Sequence, residues 1–397
     1  MARMRILGIE TSCDETAVCL IEADGSLPAN TEKSNDFQFT IFGNALMSQA
    51  EMHAEYGGVY PNLAKREHAR NLVPILVQAL TEAGALVLTE SPGVSKRQLD
   101  ELREMLSREP GLFARLAIFL ASYEKPDVDA IAITNGPGLE PALWVGVNFA
   151  RALAHAWDIP IVAVNHMEGH MVISTAKESG ISPFPLPALA LLISGGHTEL
   201  VLMPKWLSYE KVGETRDDAV GEAFDKVARL LGLPYPGGPA ISKLAQEARD
   251  EKLSKPFSLP RPMVGSGNLD FSFSGIKTAV RLLAEKQNNL TDTIKKQTAR
   301  EFEDAVAEVV CKKTAAAIEE YGVQTLIVGG GVSANRFIRH ELANMIMAEF
   351  MGLEFRIAAP EYATDNALMI ALAGYFHAMR GEYSEIETLR AAGNLSL

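Results

Sequence analysis

Cysteine is scarce in this sequence, with three residues in a chain of 397, at Cys13, Cys19 and Cys311. They form no Cys-x-x-Cys pair, so the sequence favours neither a disulfide framework nor a thiolate zinc site. Apolar runs are also short. The run at residues 6–9 is too short for a signal peptide, and no run approaches the ~18 apolar residues of a membrane span. We therefore expect a cytoplasmic protein with no membrane association.

Positive charge is the second feature that the sequence lacks. The net charge is -13, with 37 basic residues against 50 acidic ones. This argues against a chain that holds nucleic acid by its overall field, so an RNA substrate would need a local basic patch or a partner protein. The hydrophobic fraction of 47% and the charged fraction of 22% are typical of a globular chain, and the length predicts two lobes.

Short β-branched runs alternate with longer amphipathic runs, which is typical of α/β architecture. Residues 5–10 and 16–22 are predicted to form a β-hairpin around a polar turn. The same pattern recurs at 188–193 and 198–203, again with a small polar turn between the strands. The chain is therefore predicted to contain duplicated lobes, each of which opens with a hairpin.

Three alternating prolines at 183, 185 and 187 place the lobe boundary. We expect an N-terminal lobe over 1–187 and a C-terminal lobe over 188–397, with the last helix, 367–379, packing back on the first lobe. Two segments of the first lobe are interpreted as insertions. The segment 25–43 is polar and irregular, whereas 86–125 contains two predicted surface helices at 97–106 and 112–123.

His166 and His170 are four residues apart, which places both imidazoles on one face of a helix. Two imidazoles held in this way can bind a divalent metal if a third ligand comes from elsewhere in the fold. Asp365 is the best third ligand on sequence grounds, because it directly precedes a predicted helix. The alternative is that the histidines cap or pack a helix, and that the carboxylate is a helix cap.

Two glycine turns follow predicted strands, at 194–198 and 329–335. Such turns present backbone N–H groups that bind phosphate, although the sequence contains neither a P-loop nor a full G-x-G-x-x-G. The turns and the hairpin pattern suggest a nucleotide in an interlobe cleft. Asp14, Glu15 and Asp225 lie near such turns and are candidates for further roles, with helix capping as the alternative.

The chain resembles the TsaD family, the tRNA N6-adenosine threonylcarbamoyltransferases. The resemblance is carried by seven blocks in the family's order, at residues 9–16, 165–170, 194–198, 221–226, 235–239, 273–277 and 329–335. It implies a two-lobed, actin-like (ASKHA) α/β fold with an interlobe cleft. It also implies one divalent metal ion, Fe²⁺ or Zn²⁺, held by His166, His170 and Asp365. The implied substrate site for an adenylate consists of Leu192, Ile193, Ser194, Gly195, Gly196, Asp225, Gly238 and Asn335.

The reaction implied by the resemblance passes a threonylcarbamoyl group from threonylcarbamoyl-AMP to N6 of the adenosine at tRNA position 37, in tRNAs that read codons beginning with A. Asp14 or Glu15 is our candidate for the group that removes the amine proton. The implied partners are tRNA, a dimerising paralogue and a small ATPase of the same pathway. The two insertions lengthen the first lobe beyond the family's usual form, which bears on those partner contacts.

Other functions are compatible with parts of the sequence. A metallopeptidase with H-E-x-x-H needs glutamate directly after the first histidine, but Met167 is there and Glu168 is turned by about 100° on a helix. A peptidase is therefore disfavoured. A small-molecule kinase of the same fold would act without tRNA. A non-catalytic scaffold paralogue should have lost the metal ligands, which this chain keeps.

Overall fold

The computed structural model describes residues 3–25, 37–90, 94–177, 180–286 and 290–397. The chain divides into two compact units. Unit 1 consists of Met1–Glu51, Val59–Pro183 and Asp365–Leu397, and unit 2 of Met52–Gly58 and Phe184–Thr364. The main division, after Pro183, lies four residues before the boundary that the proline pattern predicts.

The sheet of unit 1 has six strands among the described residues: β1 (Met4–Glu10), β2 (Glu15–Asp24), β3 (Phe37–Ser48), β4 (Ala130–Gly136), β5 (Ile161–Asn165) and β6 (Gly180–Ile181). Their order is β5-β4-β1-β2-β3-β6. The pairs β1–β2, β2–β3 and β3–β6 are antiparallel, whereas β1–β4 and β4–β5 are parallel. The predicted opening hairpin is thus present as β1 and β2.

The helices up to residue 175 are α1 (Ala50–Ala54), α2 (Pro61–Glu82), α3 (Lys96–Met105), α4 (Pro110–Ser122), α5 (Glu140–Trp157) and α6 (His166–Thr175). Side chains from one face of the sheet, such as Leu7 and Ile9, form a buried cluster with Leu72 and Leu76 of α2 and with α5. Burial of this apolar surface is the main force that holds the helices on the sheet.

The first expected insertion differs from the prediction. Residues 37–43, predicted to be irregular, belong to β3, where Phe37 and Phe39 are buried and Gln38 is exposed, so the side chains alternate as a half-buried strand requires. Residues 26–36 and 91–93 lie outside the described residues. The two predicted surface helices exist as α3 and α4, but Leu102 and Leu116 are fully buried in the unit 1 cluster. Each helix therefore packs on the unit 1 cluster through one buried face, and Leu102 is the only fully buried residue of α3.

Unit 2 contains five strands among the described residues: β7 (Ala188–Ile193), β8 (Thr198–Lys205), β9 (Ser208–Glu214), β10 (Thr325–Gly329) and β11 (Glu354–Ile357). Its helices are α7 (Val220–Leu230), α8 (Gly237–Asp250), α9 (Ser274–Lys286), α10 (Asp292–Tyr321) and α11 (Arg336–Glu349). Phe224, Phe302 and Val306 lie in a buried cluster that joins α7 and α10 to the sheet.

The same sheet order occurs in both units. Unit 2 has the order β9-β8-β7-β10-β11, which corresponds to β3-β2-β1-β4-β5 of unit 1. In each sheet the first three strands of this order pair in antiparallel fashion, and the last two run parallel to the third. The predicted α/β fold with duplicated sheets is confirmed.

The last helix, α12 (Ala367–Met379), belongs to unit 1 and packs directly on its sheet. Glycine makes this close approach possible, because a Cβ at Gly8 would lie 2.4 Å from the carbonyl oxygen of Ala367. A Cβ at Gly374 would lie 2.3 Å from Ala132 Cβ. None of the helices among the described residues combines the length and apolar character needed to cross a membrane.

Candidate metal centre

Helix α6 fixes the positions of the two histidines. Asn165 ends β5 and caps the helix, since its side-chain oxygen accepts the Met167 N–H at 2.9 Å. His166 is therefore the first helical residue and His170 lies one turn later. Both side chains are buried, with 6% and 0% exposure, and their ring centroids are 4.8 Å apart. The spacing inferred from the sequence thus forms a buried pair of imidazoles.

Asp365 meets this pair from the start of α12. Its Oδ1 atom lies 3.4 Å from His166 Nε2 and 3.1 Å from His170 Nε2. The neighbouring Asn366 caps α12 by accepting the Met369 N–H at 3.1 Å, which fixes where the chain enters the helix. One carboxylate and two imidazoles therefore converge from two helices of unit 1.

The geometry of these three residues fits a divalent metal ion. Ligand atoms about 2.1 Å from a tetrahedral ion are about 3.4 Å from one another, close to the distances observed between Asp365 and the two histidines. All three ligand atoms lie within 4.8 Å of one another. Two imidazoles and one carboxylate are a donor set that suits Fe²⁺ or Zn²⁺.

Glu10 is a component of the centre that the sequence analysis did not assign. It is fully buried at the end of β1, and its Oε2 atom accepts a hydrogen bond from His166 Nδ1 at 3.2 Å. The Ser12 N–H and the Thr134 hydroxyl also donate to this carboxylate, both at 2.5 Å. A carboxylate on Nδ1 directs Nε2 toward the metal position. The available signal was a charged residue at the end of a buried strand.

The buried carboxylates and histidines of the centre shift one another's pKa. Burial alone would lower the pKa of His166, but the carboxylates of Asp365 and Glu10 raise this pKa well above its usual value. Burial conversely favours protonated Asp365, but the two histidines lower its pKa below the usual range. The centre therefore holds carboxylate negative charge that favours a cation in its middle.

The two candidate catalytic acids are neighbours at the start of β2, with Asp14 in the turn after β1 and Glu15 as the first residue of the strand. Asp14 is 8% exposed, and Glu15 accepts a hydrogen bond from the Ser48 hydroxyl at 2.9 Å. Burial, together with the charges of Asp14 and Asp365, raises the pKa of Glu15 well above its usual value. A raised pKa makes Glu15 a stronger base than an ordinary carboxylate, and Asp365 is among the charges that raise it.

His68 of α2 bonds the backbone of the turn between β1 and β2. The sequence analysis did not identify this residue. Its Nε2 atom donates to the Cys13 carbonyl at 3.0 Å, while Nδ1 accepts from the Thr16 hydroxyl at 2.8 Å. These contacts match an imidazole that donates through Nε2 and accepts through Nδ1. A fully buried histidine therefore ties α2 to the backbone beside Asp14 and Glu15.

In unit 2 the first glycine turn follows β7. Ser194 closes it, because its hydroxyl accepts the His197 N–H at 3.0 Å and its carbonyl accepts the Gly221 N–H at 3.1 Å. A Cβ built at Gly195 or Gly196 would meet nothing within 4 Å, so the backbone of this turn is open to a ligand. Leu192 and Ile193, which the sequence analysis placed in the substrate site, are fully buried and expose no surface to a substrate.

The second glycine turn, after β10, lies beside the first. Gly330 has φ of +88°, and a Cβ there would lie 2.5 Å from the carbonyl oxygen of Ile193, so only glycine fits without displacement. Because β7 and β10 are parallel neighbours, their carboxyl ends bring both turns to one edge of the sheet. Phosphate-binding N–H groups are commonly found at such an edge.

The remaining predicted substrate residues lie at helix starts in unit 2. Asp225 of α7 accepts the Gly237 N–H at 2.7 Å and so joins α7 to the start of α8, where Gly238 is open to solvent. Asn335 caps α11, and its amide donates to Ser242 and Glu303, both at 2.8 Å. These bonds indicate that Asp225 and Asn335 also set the local framework around the glycine turns.

Comparison with known proteins identifies the family of the chain. The model of the family TsaD, tRNA N6-adenosine threonylcarbamoyltransferase, matches residues 40–121 and 112–372. The chain belongs to the TsaD family. The family comprises metal-dependent transferases that act on tRNA. His166, His170 and Asp365 are the candidate residues for that metal.

Three solved structures are similar to the chain at low identity. The ROK hexokinase from Thermus thermophilus is 13% identical, with 95% of this chain and 100% of that one covered and a TM-score of 0.42. HypF from T. kodakarensis is 14% identical, with 69% and 44% covered and a TM-score of 0.47. A full-length HypF in the phosphate- and nucleotide-bound form is 12% identical, with 96% and 56% covered and a TM-score of 0.49. The chain thus spans about half of each HypF chain.

His377 links the two helices that carry the centre, and it gives a prediction about pH. Its Nε2 bonds Glu168 of α6 at 2.7 Å and its Nδ1 bonds Glu382 at 2.6 Å. Burial opposes the charge, but these carboxylates raise the pKa of His377 to about 9. The contribution of charged His377 to the free energy of unfolding is fully present below pH ~6.5 and is lost as the pH rises through about 9. We expect His377→Gln to remove a pH-dependent stability difference of at most about 3 kcal/mol.

The measurement is the free energy of unfolding at pH 7 and pH 10 for the wild type and for His377→Gln. His340→Gln, at an exposed position of α11, is the matched control and should keep the wild-type dependence. An unchanged pH dependence in His377→Gln would show that the ion pairs with Glu168 and Glu382 contribute nothing.

Proposed function

We propose that this chain transfers the threonylcarbamoyl group from threonylcarbamoyl-AMP to N6 of the adenosine at position 37, in tRNAs that read codons beginning with A. The observation that carries the proposal is the buried set of His166, His170 and Asp365, with an acidic turn electrostatically coupled to it. Membership of the TsaD family supports the general chemistry. The proposed location is the cytoplasm.

The chain's own residues have distinct roles in this proposal. The open backbone at Gly195, Gly196 and Gly238 holds the adenylate phosphate through N–H groups, in the framework set by Asp225 and Asn335. Glu15, with Asp14 beside it, accepts the proton from the exocyclic amine. That amine is a weak nucleophile because its lone pair is delocalised into the ring, so orientation of the reactants matters. When bound, a divalent ion, Fe²⁺ or Zn²⁺, supplies Lewis-acid polarisation of the substrate oxygens.

The structure bears on the alternative functions. A peptidase would direct Glu168 toward the histidine pair, but the Glu168 carboxylate accepts a hydrogen bond from His377 Nε2. The retained metal-binding residues argue against a non-catalytic scaffold. A small-molecule kinase is the remaining alternative, and it is distinguished by its independence of tRNA. The proposed partners are tRNA, a dimerising paralogue and a small ATPase.

The test is transfer of labelled threonine from threonylcarbamoyl-AMP to unmodified tRNA by the purified chain, with and without the partner proteins. We expect label on tRNAs that read codons beginning with A and not on other tRNAs. Glu15→Gln should reduce the rate by about 10²–10⁴-fold, the usual contribution of a general base. Glu124→Gln, at an exposed position, is the control and should keep the rate.

Two results would contradict the proposal. Absence of label under every condition, with the metal bound, would favour the kinase. Full transfer by Glu15→Gln would remove this residue from the proposed mechanism and leave Asp14 as the candidate base.

A further inference from the structure

A basic groove lies on the surface of unit 1, with a cavity volume of about 550 Å³. One wall is the outer face of α2, where residues 62, 65, 66, 69 and 70 follow helical spacing. The other wall is the connection between α3 and α4 and the first turns of α4. Five cationic side chains line the groove: Lys65, Arg66, Arg70, Arg108 and Arg115.

The groove has an excess of positive charge in a chain whose net charge is -13. Its only lining carboxylates, among the described residues, are Glu67 and Glu109, so two of five positive charges are balanced. Glu67 lies 3.3 Å from Arg66, and Glu109 lies 3.1 Å from Lys65. Arg108 is exposed and has no ion pair within the described part of the chain. The groove is therefore a local basic patch of the kind that an RNA-binding chain of this net charge requires.

Two buried polar atoms at the groove have no hydrogen-bond partner among the described residues. These are Nε of Arg115 and Oε2 of Glu109. Arg115 uses another guanidinium nitrogen to bond the Ala69 carbonyl at 3.1 Å, and the Glu109 side chain is 3% exposed. Buried polar groups are nearly always paired, so the unpaired donor of Arg115 is a group that an anion can satisfy, whereas the unpaired oxygen of Glu109 can only accept and does not favour an anion.

Three lysines of the basic pairs 295–296 and 312–313 already have side-chain or backbone partners among the described residues. Lys296 lies 3.1 Å from Glu247 and 2.5 Å from Glu251. Lys312 lies 2.6 Å from Glu308. Lys313, its neighbour, is buried and donates to Ser266 and Asn268. The groove beside Lys65 and Arg66 is therefore better suited to bind an anion than these two sites.

The same helix connects the groove to the proposed reaction centre. Arg66 and Arg70 on the outer face of α2 are 73% exposed, whereas His68 on the inner face donates to the Cys13 carbonyl. That carbonyl directly precedes Asp14 and Glu15. A polyanion held on the outer face of α2 would thus bind to the element that supports the acidic turn.

We propose that this groove binds the phosphodiester backbone of the tRNA substrate, an inference that rests on the proposed function. Guanidinium groups match phosphate oxygens with two parallel hydrogen bonds, and the groove offers four of them. The segment 86–125 thereby acquires a role, since it supplies the second wall. Contacts of this type give affinity and register without reading the base sequence.

The experiment compares two double variants in which lysine or arginine is replaced by glutamate, so that the net charge changes equally. Arg66→Glu/Arg108→Glu alters the groove, and Lys96→Glu/Lys125→Glu alters exposed positions of unit 1 outside it. Affinity for unmodified tRNA is measured by filter binding from about 50 to 200 mM salt. We expect the groove variant to bind at least about tenfold more weakly, with a salt slope reduced by about 2. The control should remain within about twofold of the wild type.

Transfer kinetics separate this inference from the proposed function. The groove variant should show a raised KM for tRNA with unchanged kcat, because Arg66 and Arg108 lie outside the reaction centre. Three results would overturn the proposal that the groove binds tRNA. They are equal affinities and salt slopes in all proteins, an equal loss of affinity in the control, and no tRNA binding by the wild type. Binding through the groove without any transfer would overturn the proposed function alone.

Discussion

His166→Ala is expected to remove stoichiometric metal from the protein and to abolish most of its transfer activity. Outer partners of metal ligands are already worth about 10–100-fold in affinity, so loss of a ligand should weaken metal binding by more than about 100-fold. The substitution also leaves Asp365 and Glu10 without the imidazole that lies 3.4 Å and 3.2 Å from them. The readouts are metal content by mass spectrometry, a metal titration and the transfer rate.

Two further variants define what this result means. Glu10→Gln keeps the shape of the side chain but removes the negative charge that bonds His166 Nδ1. The metal affinity of this variant should be about 10–100-fold lower than that of the wild type. His155→Ala, whose imidazole instead pairs with Glu101 on α3, should retain both metal and activity. Normal metal content and full transfer in His166→Ala would exclude this cluster as the metal site.

Gly8→Ala should destabilise unit 1 and weaken its metal binding together. The added Cβ would lie 2.4 Å from the Ala367 carbonyl oxygen and 2.8 Å from Ala371, so α12 would have to move away from β1. Overpacking of this type costs about 1–3 kcal/mol. Because Asp365 directly precedes α12, the same movement would displace the carboxylate from the histidine pair. Thermal unfolding and the metal titration measure the two effects.

Gly265→Ala is the matched control for this experiment, since a Cβ there meets nothing within 4 Å and the backbone needs no positive φ. It should leave the midpoint of unfolding and the metal affinity at wild-type values. A Gly8→Ala protein with wild-type stability would show that the contact between α12 and the sheet is looser than described. Lost stability with unchanged metal affinity would show that Asp365 is positioned independently of α12.

Most of the secondary structure could be predicted because it follows from local periodicity. Residues 367–379 were predicted as a helix and form α12 with the same bounds, and the hairpin strands at 188–193 and 198–203 occur as β7 and β8. The failure lies in the first expected insertion. The alternation at Phe37 and Phe39 begins a strand, but it follows a polar stretch that obscures the pattern. Leu102 and Leu116 are buried because a neighbouring layer covers them, which periodicity alone does not reveal.

The sequence by itself determined the histidine pair, the glycine turns and the family, because these features depend on residues that are close together along the chain. The tertiary structure decided what surrounds them. Glu10 reaches His166 through the pairing of β1 with β4, and Asp365 reaches both histidines because glycine lets α12 lie against β1. His68 and the basic groove likewise depend on where α2 packs. Such contacts join residues far apart in sequence, and only the packing of helices on a sheet fixes which of them meet.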